Sequence, residues 1–385
     1  MLKNITPFPI TTVYLIVTFL SFHTCAYLPI SQPSSSSVPF FSFAEDFVEA
    51  KMGEQIRHFL SVYVGQPPQE LKLKLSTAIC GLWILDRGSF DRGIDVSLST
   101  TMEELGIDGK IDFTRGRMVK DFIRLCSIDS PDKSPFLLVT SFTDDSKRPK
   151  SYDGLVGFGY QCPSSSVGNV DLVQLLTKQG KHSKNIMTYA YDTVSRSGHI
   201  TLGSIPKAVN TKSKLYRTTP LDVLNRNGHW EVKLHSVYFD DGTLVQIQAP
   251  LSIGIGGSAI GVNELLFNVI VEKYFANALN SDKCLMQKGE VTEVFCEEGF
   301  EKEVTFGAIH FIVGKWNIEI PAETLFRNIG TKAIKPMWFR VVYYAKDNGK
   351  FYITQSVLEG KHAVVYNKED GVLGFYKEKM RRESD

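Results

Sequence analysis

The 385-residue sequence has almost no net charge: 43 lysines and arginines stand against 42 aspartates and glutamates, a formal +1. A general nucleic-acid binder carries a basic excess, so the charge balance gives no support to a nucleic-acid partner. Metal-ligand spacings are missing. None of the eight histidines falls in an HExxH pattern and no Cys-x-x-Cys occurs, so no metal and no cofactor are implied. Beyond Phe22 no apolar run approaches the ~20 residues that a bilayer span needs. The one Asn-x-Ser/Thr acceptor is Asn4-Ile5-Thr6. Amphipathic helices are scarce: only Val170–Lys178 and Val262–Leu279 show apolar i, i+3, i+4 spacing.

What is present begins with a leader. Lys3 is followed by the apolar stretch Val13–Phe22 (VYLIVTFLSF) and by Thr24-Cys25-Ala26, which ends on a small residue. Residues 1–26 read as a secretory signal peptide, which implies a protein secreted or held in the lumen of the secretory route, without a membrane span after signal removal. Residues 27–55 start Pro/Ser-rich (SQPSSSSVP) and continue as a weakly helical pattern, FAEDFVEAKMGEQ. Hydrophobic residues make up 43% of the chain, enough for a sizeable core. At ~100–200 residues per domain, the length suits two or three domains, or one β-rich unit of two lobes.

Without Cys25, five cysteines remain, so at least one is free or pairs outside the chain. Cys284 and Cys296 flank a polar segment that reads as a hairpin loop, and they are expected to form a disulfide in an oxidising compartment. Cys80 and Cys126 are either disulfide-bonded or buried and reduced. The pairing of Cys162 is open.

From Arg57 onward the texture is β-type. Leu71–Leu75 (LKLKL) alternates as a half-buried strand does, and His58–Val64, Phe136–Phe142, Met187–Tyr191, His199–Leu202, Trp230–Phe239, Thr305–Val313, Arg340–Tyr344 and Ala363–Tyr366 are further strand candidates. Asp240-Asp241-Gly242 and Asp347-Asn348-Gly349 supply turns. Many strands and few helices predict an all-β protein.

The order of these signals carries a resemblance. The segment HFLSVYVGQPPQELKLKLSTAICGLWIL, with Gly65-Gln66-Pro67-Pro68-Gln69 and Leu82-Trp83, resembles the first lobe of pepsin-like aspartic proteases. Tyr152–Gly159 (YDGLVGFG), Gly198–Gly203, the strand opened by Trp230-Glu231-Val232, and Phe311–Gly314 with Ile320-Pro321-Ala322 resemble later elements of that family. The matches run from about Phe59 to Phe375. The resemblance implies a bilobal all-β pepsin-like fold with a central cleft, an N-terminal lobe over 56–215 and a C-terminal lobe over 216–380. Cys284 and Cys296 fall where the second lobe of that family has its disulfide.

The family's chemistry needs two aspartates, one per lobe, close enough to share one proton, so that one acts as base and the other as acid. Each sits in Asp-Thr/Ser-Gly. Here the corresponding triplets are Ser76-Thr77-Ala78 and Gly254-Ile255-Gly256, so Ser76 and Gly254 occupy the two Asp positions and no catalytic pair is present. Ile255 has no hydroxyl, which halves the lock between the two loops. Ile111–Gly116 resembles the flap strand, with Phe113 where the family has Tyr, and Arg115 and Arg117 make it more basic. Thr354 stands where the second lobe would have a Gly, and it is expected to crowd the loop. Between Tyr27 and Arg57 the leader is net −2, with no basic cap for an acidic cleft.

Rival readings are weaker. Gly254–Ala259 fits G-x-G-x-x-(G/A), but its surroundings offer no βαβ unit. Ser76 as a nucleophile lacks a nearby His. Asp112 could supply one makeshift acid, but a single carboxylate does both proton transfers poorly. The expected function is a secreted, catalytically inactive homologue, a monomer that binds a peptide or protein ligand through Phe113, Thr114, Ser76, Thr77, Gly254 and Gly256. The alternatives are a weak endopeptidase with an unorthodox dyad and a structural protein with a closed cleft.

Overall fold

The Leu/Lys alternation folds as its period dictates. In the computed structural model the strand Gln69–Ser76 buries Leu71, Leu73 and Leu75 and leaves Lys72 and Lys74 half-buried. The structure describes residues 40–46, 57–111, 113–125, 128–129, 132–160, 184–192, 197–202, 216–218, 228–255, 257–330, 335–345, 350–358 and 362–377. Asp112, Cys126, Cys162, Gly256, the Val170–Lys178 helix and the signal segment lie outside them.

The Gln69–Ser76 strand pairs antiparallel with Arg57–Val64 and parallel with Gly154–Phe158. Gly154–Phe158 in turn pairs antiparallel with Cys80–Leu85, whose other neighbour is the parallel strand Ser134–Phe142. A Cβ on Gly157 would stand 2.5 Å from the Ile79 carbonyl oxygen, so only glycine lets the strand lie this close to the chain after Ser76.

The second half repeats the wiring. Leu244–Gly254 pairs antiparallel with Glu231–Phe239 and parallel with Phe351–Thr354. Phe351–Thr354 pairs antiparallel with Ile260–Val262, which runs parallel to Met337–Tyr344. In register, Ser76 opposes Gly157 and Gly254 opposes Thr354. The two lobes are therefore equivalent through Ser76 and Gly254. The similar words Asp153–Phe158 and Asp370–Phe375 are not equivalent: Val372–Lys377 lies in a different sheet from Phe351–Thr354.

A run of antiparallel strands joins the lobes. Tyr216–Thr218, Val372–Lys377, His362–Asn367, Ile186–Asp192, Ser197–Leu202 and Phe40–Asp46 lie side by side, and Phe40–Asp46 leads into Arg57–Val64. The end of the chain thus returns to the sheet of the first lobe, past the expected boundary at 215/216. Phe40–Asp46 corrects one expectation. Its last four residues open the segment read as weakly helical, yet they are strand. Antiparallel pairing with Ser197–Leu202 outweighs a marginal helical pattern, as tertiary context commonly does.

Around these sheets one buried apolar cluster runs through both lobes. Trp230 sits at their junction. Its Nε1 donates to the Phe158 carbonyl at 2.8 Å, and its ring lies 4.7 Å from Tyr160 and 5.2 Å from Tyr366. The expected helix over Val262–Leu279 is present as Glu264–Ile270, the π-helical Val271–Phe275 and Ala276–Asn280. The Asn263 side chain caps it by accepting from Leu266 N at 3.0 Å. Cys284 and Cys296 are disulfide-bonded at directly opposed positions of the Cys284–Gln287 and Val291–Cys296 hairpin. Cys80 is also disulfide-bonded. Among the described residues no helix is long and apolar enough to cross a membrane.

One buried acid stands out. Glu231 is 5% exposed; Oε1 accepts from Ser252 Oγ at 3.1 Å, and Oε2 has no hydrogen-bond partner among the described residues. Burial raises its pKa, against the weaker pull of Ser252 and Lys350. The folded chain therefore holds this proton to higher pH than the unfolded chain does. Stability from this group is greatest below the unfolded carboxyl pKa and falls as pH rises through the folded value. Glu231→Gln is expected to raise the thermal midpoint at about pH 7, with the gain shrinking toward about pH 4. Equal shifts at both pH values would contradict the assignment.

Candidate functional site

The two equivalent strands Gln69–Ser76 and Leu244–Gly254 end facing one another at the junction of the lobes. Thr77 is fully buried, and its Oγ1 accepts the Ile255 backbone N–H at 2.8 Å. This bond ties one lobe's loop to the other's. A Cβ built on Gly254 would stand 3.4 Å from Thr77 Oγ1, an ordinary contact. Thr77 therefore meets both Gly254 and Ile255, with Ser76 next to it in the chain.

Local chemistry shapes each loop. Ser76 Oγ accepts Ala78 N at 3.2 Å and closes a short side-chain turn. Ser76 is 8% exposed, so its hydroxyl is largely covered. Tyr366, whose hydroxyl is buried, lies near Thr77. Burial pushes its ionisation far above the ordinary tyrosine range. Ile255 contributes only its backbone N–H to the lock; its side chain is buried in the main core.

Thr354 does not crowd the second loop. Its Oγ1 donates to the Ala259 carbonyl at 2.9 Å. Its methyl group takes the space that a Cβ would need at Gly257, 2.5 Å away. Ser356 Oγ donates to the Gly257 carbonyl at 2.8 Å. Arg340, 6% exposed, donates from Nε to the Ser258 carbonyl at 2.7 Å, from Nη1 to the Thr324 carbonyl at 3.1 Å, and from Nη2 to Ser356 Oγ at 2.6 Å. A buried guanidinium is costly unless its donors are met, and here carbonyls and a hydroxyl meet them. Sequence reasoning passed over Arg340. The available signal was one arginine inside the apolar run Met337–Tyr344 (MWFRVVYY).

The flap residues lie on a hairpin of their own. Glu103–Ile111 and Thr114–Asp121 form a hairpin in which Ile111 opposes Thr114. Phe113 at its tip is 40% exposed, and its carbonyl accepts from Thr143 N at 2.8 Å. Thr114 is buried and donates its hydroxyl to the Ile111 carbonyl, which fixes the turn. Among the described residues, no cluster of His, Cys, Asp or Glu could hold a metal ion.

A two-lobed β protein whose halves repeat one strand arrangement, with the repeat's two loops hydrogen-bonded at the lobe junction, has the architecture of an acid-protease-type molecule. The family model for eukaryotic aspartyl proteases matches residues 57–377. The chain belongs to that family. It is 21% identical over 350 residues to plasmepsin VIII of Plasmodium berghei (strain Anka), covering 83% of this chain and 87% of that protein. Its fold superposes on the crystal structure of the aspartic proteinase from Irpex lacteus with a TM-score of 0.66 at 15% identity, over 88% of this chain and 97% of that one.

The cross-lobe bond is directly testable. Thr77→Val keeps the shape and removes the acceptor, leaving the buried Ile255 N–H unmet. That costs ~1–3 kcal/mol of unfolding free energy. Thr77→Ser retains the oxygen and is expected to lose clearly less in denaturant titration. Equal losses in the two variants would show that packing, not the hydrogen bond, is what matters at Thr77.

Proposed function

We propose that this protein is a non-hydrolytic member of its family, acting in the secretory route or outside the cell, and that it binds a peptide or protein partner. The observation that carries this reading is the pair Ser76 and Gly254. They oppose Gly157 and Thr354 in identical strand registers, and by the family motif they stand where the two aspartates belong. The hydrolytic reaction needs one carboxylate to activate water and a second carboxyl to protonate the carbonyl oxygen. A covered serine hydroxyl and a glycine supply neither.

The scaffold for binding is intact in this reading. Thr77 still accepts from Ile255 across the junction, so the loops keep their approach without their carboxylates. An extended peptide can be held by backbone hydrogen bonds that need no aspartate. The leader over Val13–Phe22 and the disulfides at Cys80 and Cys284–Cys296 support an oxidising, secretory location.

The test is long incubation of the purified protein with a diverse peptide mixture, read by mass spectrometry from about pH 3 to about pH 8, a span that includes the acid range in which a carboxyl dyad keeps its shared proton. The native chain is expected to yield no cleavage site absent from buffer. Reproducible, sequence-specific cleavage by the native chain would overturn the proposal. A Ser76→Asp/Gly254→Asp variant runs beside it. Gly254 accepts the added Cβ at an ordinary 3.4 Å contact with Thr77 Oγ1, so the substitution fits at its first atom. Acid-pH cleavage by this variant alone would locate the native chain's defect in the two missing carboxylates.

A further inference from the structure

The Glu103–Ile111 strand ends the 15-stranded sheet; among the described residues it pairs with Thr114–Asp121 on one side only. It is exposed along nearly its whole length. Among the described residues its other edge has no ladder partner, and such an edge offers the backbone groups that receive an added strand.

The side chains around the tip define what could be added. Ile111 and Thr114 flank the turn and are buried, so the next pair outward, Lys110 and Arg115, shares the opposite, exposed face. These two cations stand directly across from each other, an arrangement that disfavours an isolated hairpin. Neither forms an ion pair with a described residue. The hairpin's other cations differ: Arg117 pairs with Glu104, and Lys120 with Glu103 at 2.7 Å. Glu103 also holds Lys133. Asp108, opposite Arg117, is the remaining described acid on the exposed face. Beside the tip, Lys147 Nζ lies 5.9 Å from the exposed Phe113 ring; that lysine also attracts Asp144, which accepts from Ser146 N at 2.9 Å. Near the tip, Lys110 and Arg115, without an ion pair among the described residues, therefore stand close to one exposed aromatic ring.

We propose that this hairpin docks an acidic, extended peptide segment. The segment adds along the open Glu103–Ile111 edge, sets its carboxylates against Lys110 and Arg115, and lays an apolar side chain on Phe113. The proposal rests on the peptide-binding reading above and narrows it to one chemistry.

The experiment measures fluorescence anisotropy of labelled peptides that share length and apolar residues and carry Glu, Gln or Lys at the polar positions. The Glu peptide is expected to bind tightest, to weaken with added salt, and to lose about tenfold in affinity with Lys110→Glu/Arg115→Glu. Lys110→Gln/Arg115→Gln is expected to lose less, and it serves in place of the reversal if that variant does not fold by circular dichroism. Equal binding of all three peptides, indifferent to both variants, would overturn acidic selection while leaving peptide binding in place. No binding of any peptide would overturn both. Equal competition by a DNA oligonucleotide of matched charge would overturn the peptide assignment.

Discussion

Everything at the centre of this molecule depends on one hydrogen bond, from Ile255 N to Thr77 Oγ1. It is buried and joins positions 178 residues apart in sequence. Each partner directly follows a strand whose register is fixed by a parallel neighbour, Gly154–Phe158 in one lobe and Phe351–Thr354 in the other. A slip of one residue in either strand would turn every core side chain toward the wrong face. The bond therefore reports that both lobes are in register at once. Trp230 reinforces the same junction, bonding the Phe158 carbonyl and packing against Tyr366. The close approach of the loops belongs to the backbone and a threonine. It asks nothing of the residues at Ser76 and Gly254.

The second loop has been rebuilt as core. In the first lobe, Gly157 is forced by contact with the Ile79 carbonyl. Its equivalent, Thr354, is tolerated because the neighbouring Gly257 leaves room for its methyl group. Thr354, Ser356 and Arg340 then satisfy the carbonyls of Ala259, Gly257 and Ser258 in turn. Three successive carbonyls are thus held from behind by side chains. Buried polar groups of this kind are favourable when all are met, and they fix a single conformation. One substitution here would leave a donor or acceptor stranded, so the set is coupled.

The sequence disclosed the local features and the order of elements. The LKLKL alternation, the hairpin disulfide and the Val262–Leu279 helix follow from periods and caps that act over a few residues. The equivalence of Ser76 with Gly254, and of Gly157 with Thr354, came from motif order and is matched by strand register. What escaped depends on distant partners. Phe40–Asp46 is a strand because Ser197–Leu202 offers it a ladder some 155 residues later. Arg340 read only as the start of a strand, and only the folded chain brings Ser258, Thr324 and Ser356 to it. Glu231 read as one residue of a strand motif, and its burial shows only in the folded chain, where it opposes Ser252.

The physical cost of losing a carboxylate pair is low in such a frame. Two nearby carboxylates repel unless one is protonated, and burial raises the cost of each charge. Under the proposed reading, a neutral hydroxyl and a glycine in their place relieve that repulsion, while the Thr77 bond holds the loops. Active-site groups are commonly retained against stability, for function. A family member freed of hydrolysis can therefore discard the dyad without discarding the fold. Under the proposed reading, selection then acts on what remains exposed, and the flap hairpin is where the chain has placed like charges face to face. Lys110 opposite Arg115 is unfavourable for the hairpin alone. An acidic segment laid across the pair would turn that local penalty into attraction, which makes the hairpin's own frustration the source of its selectivity.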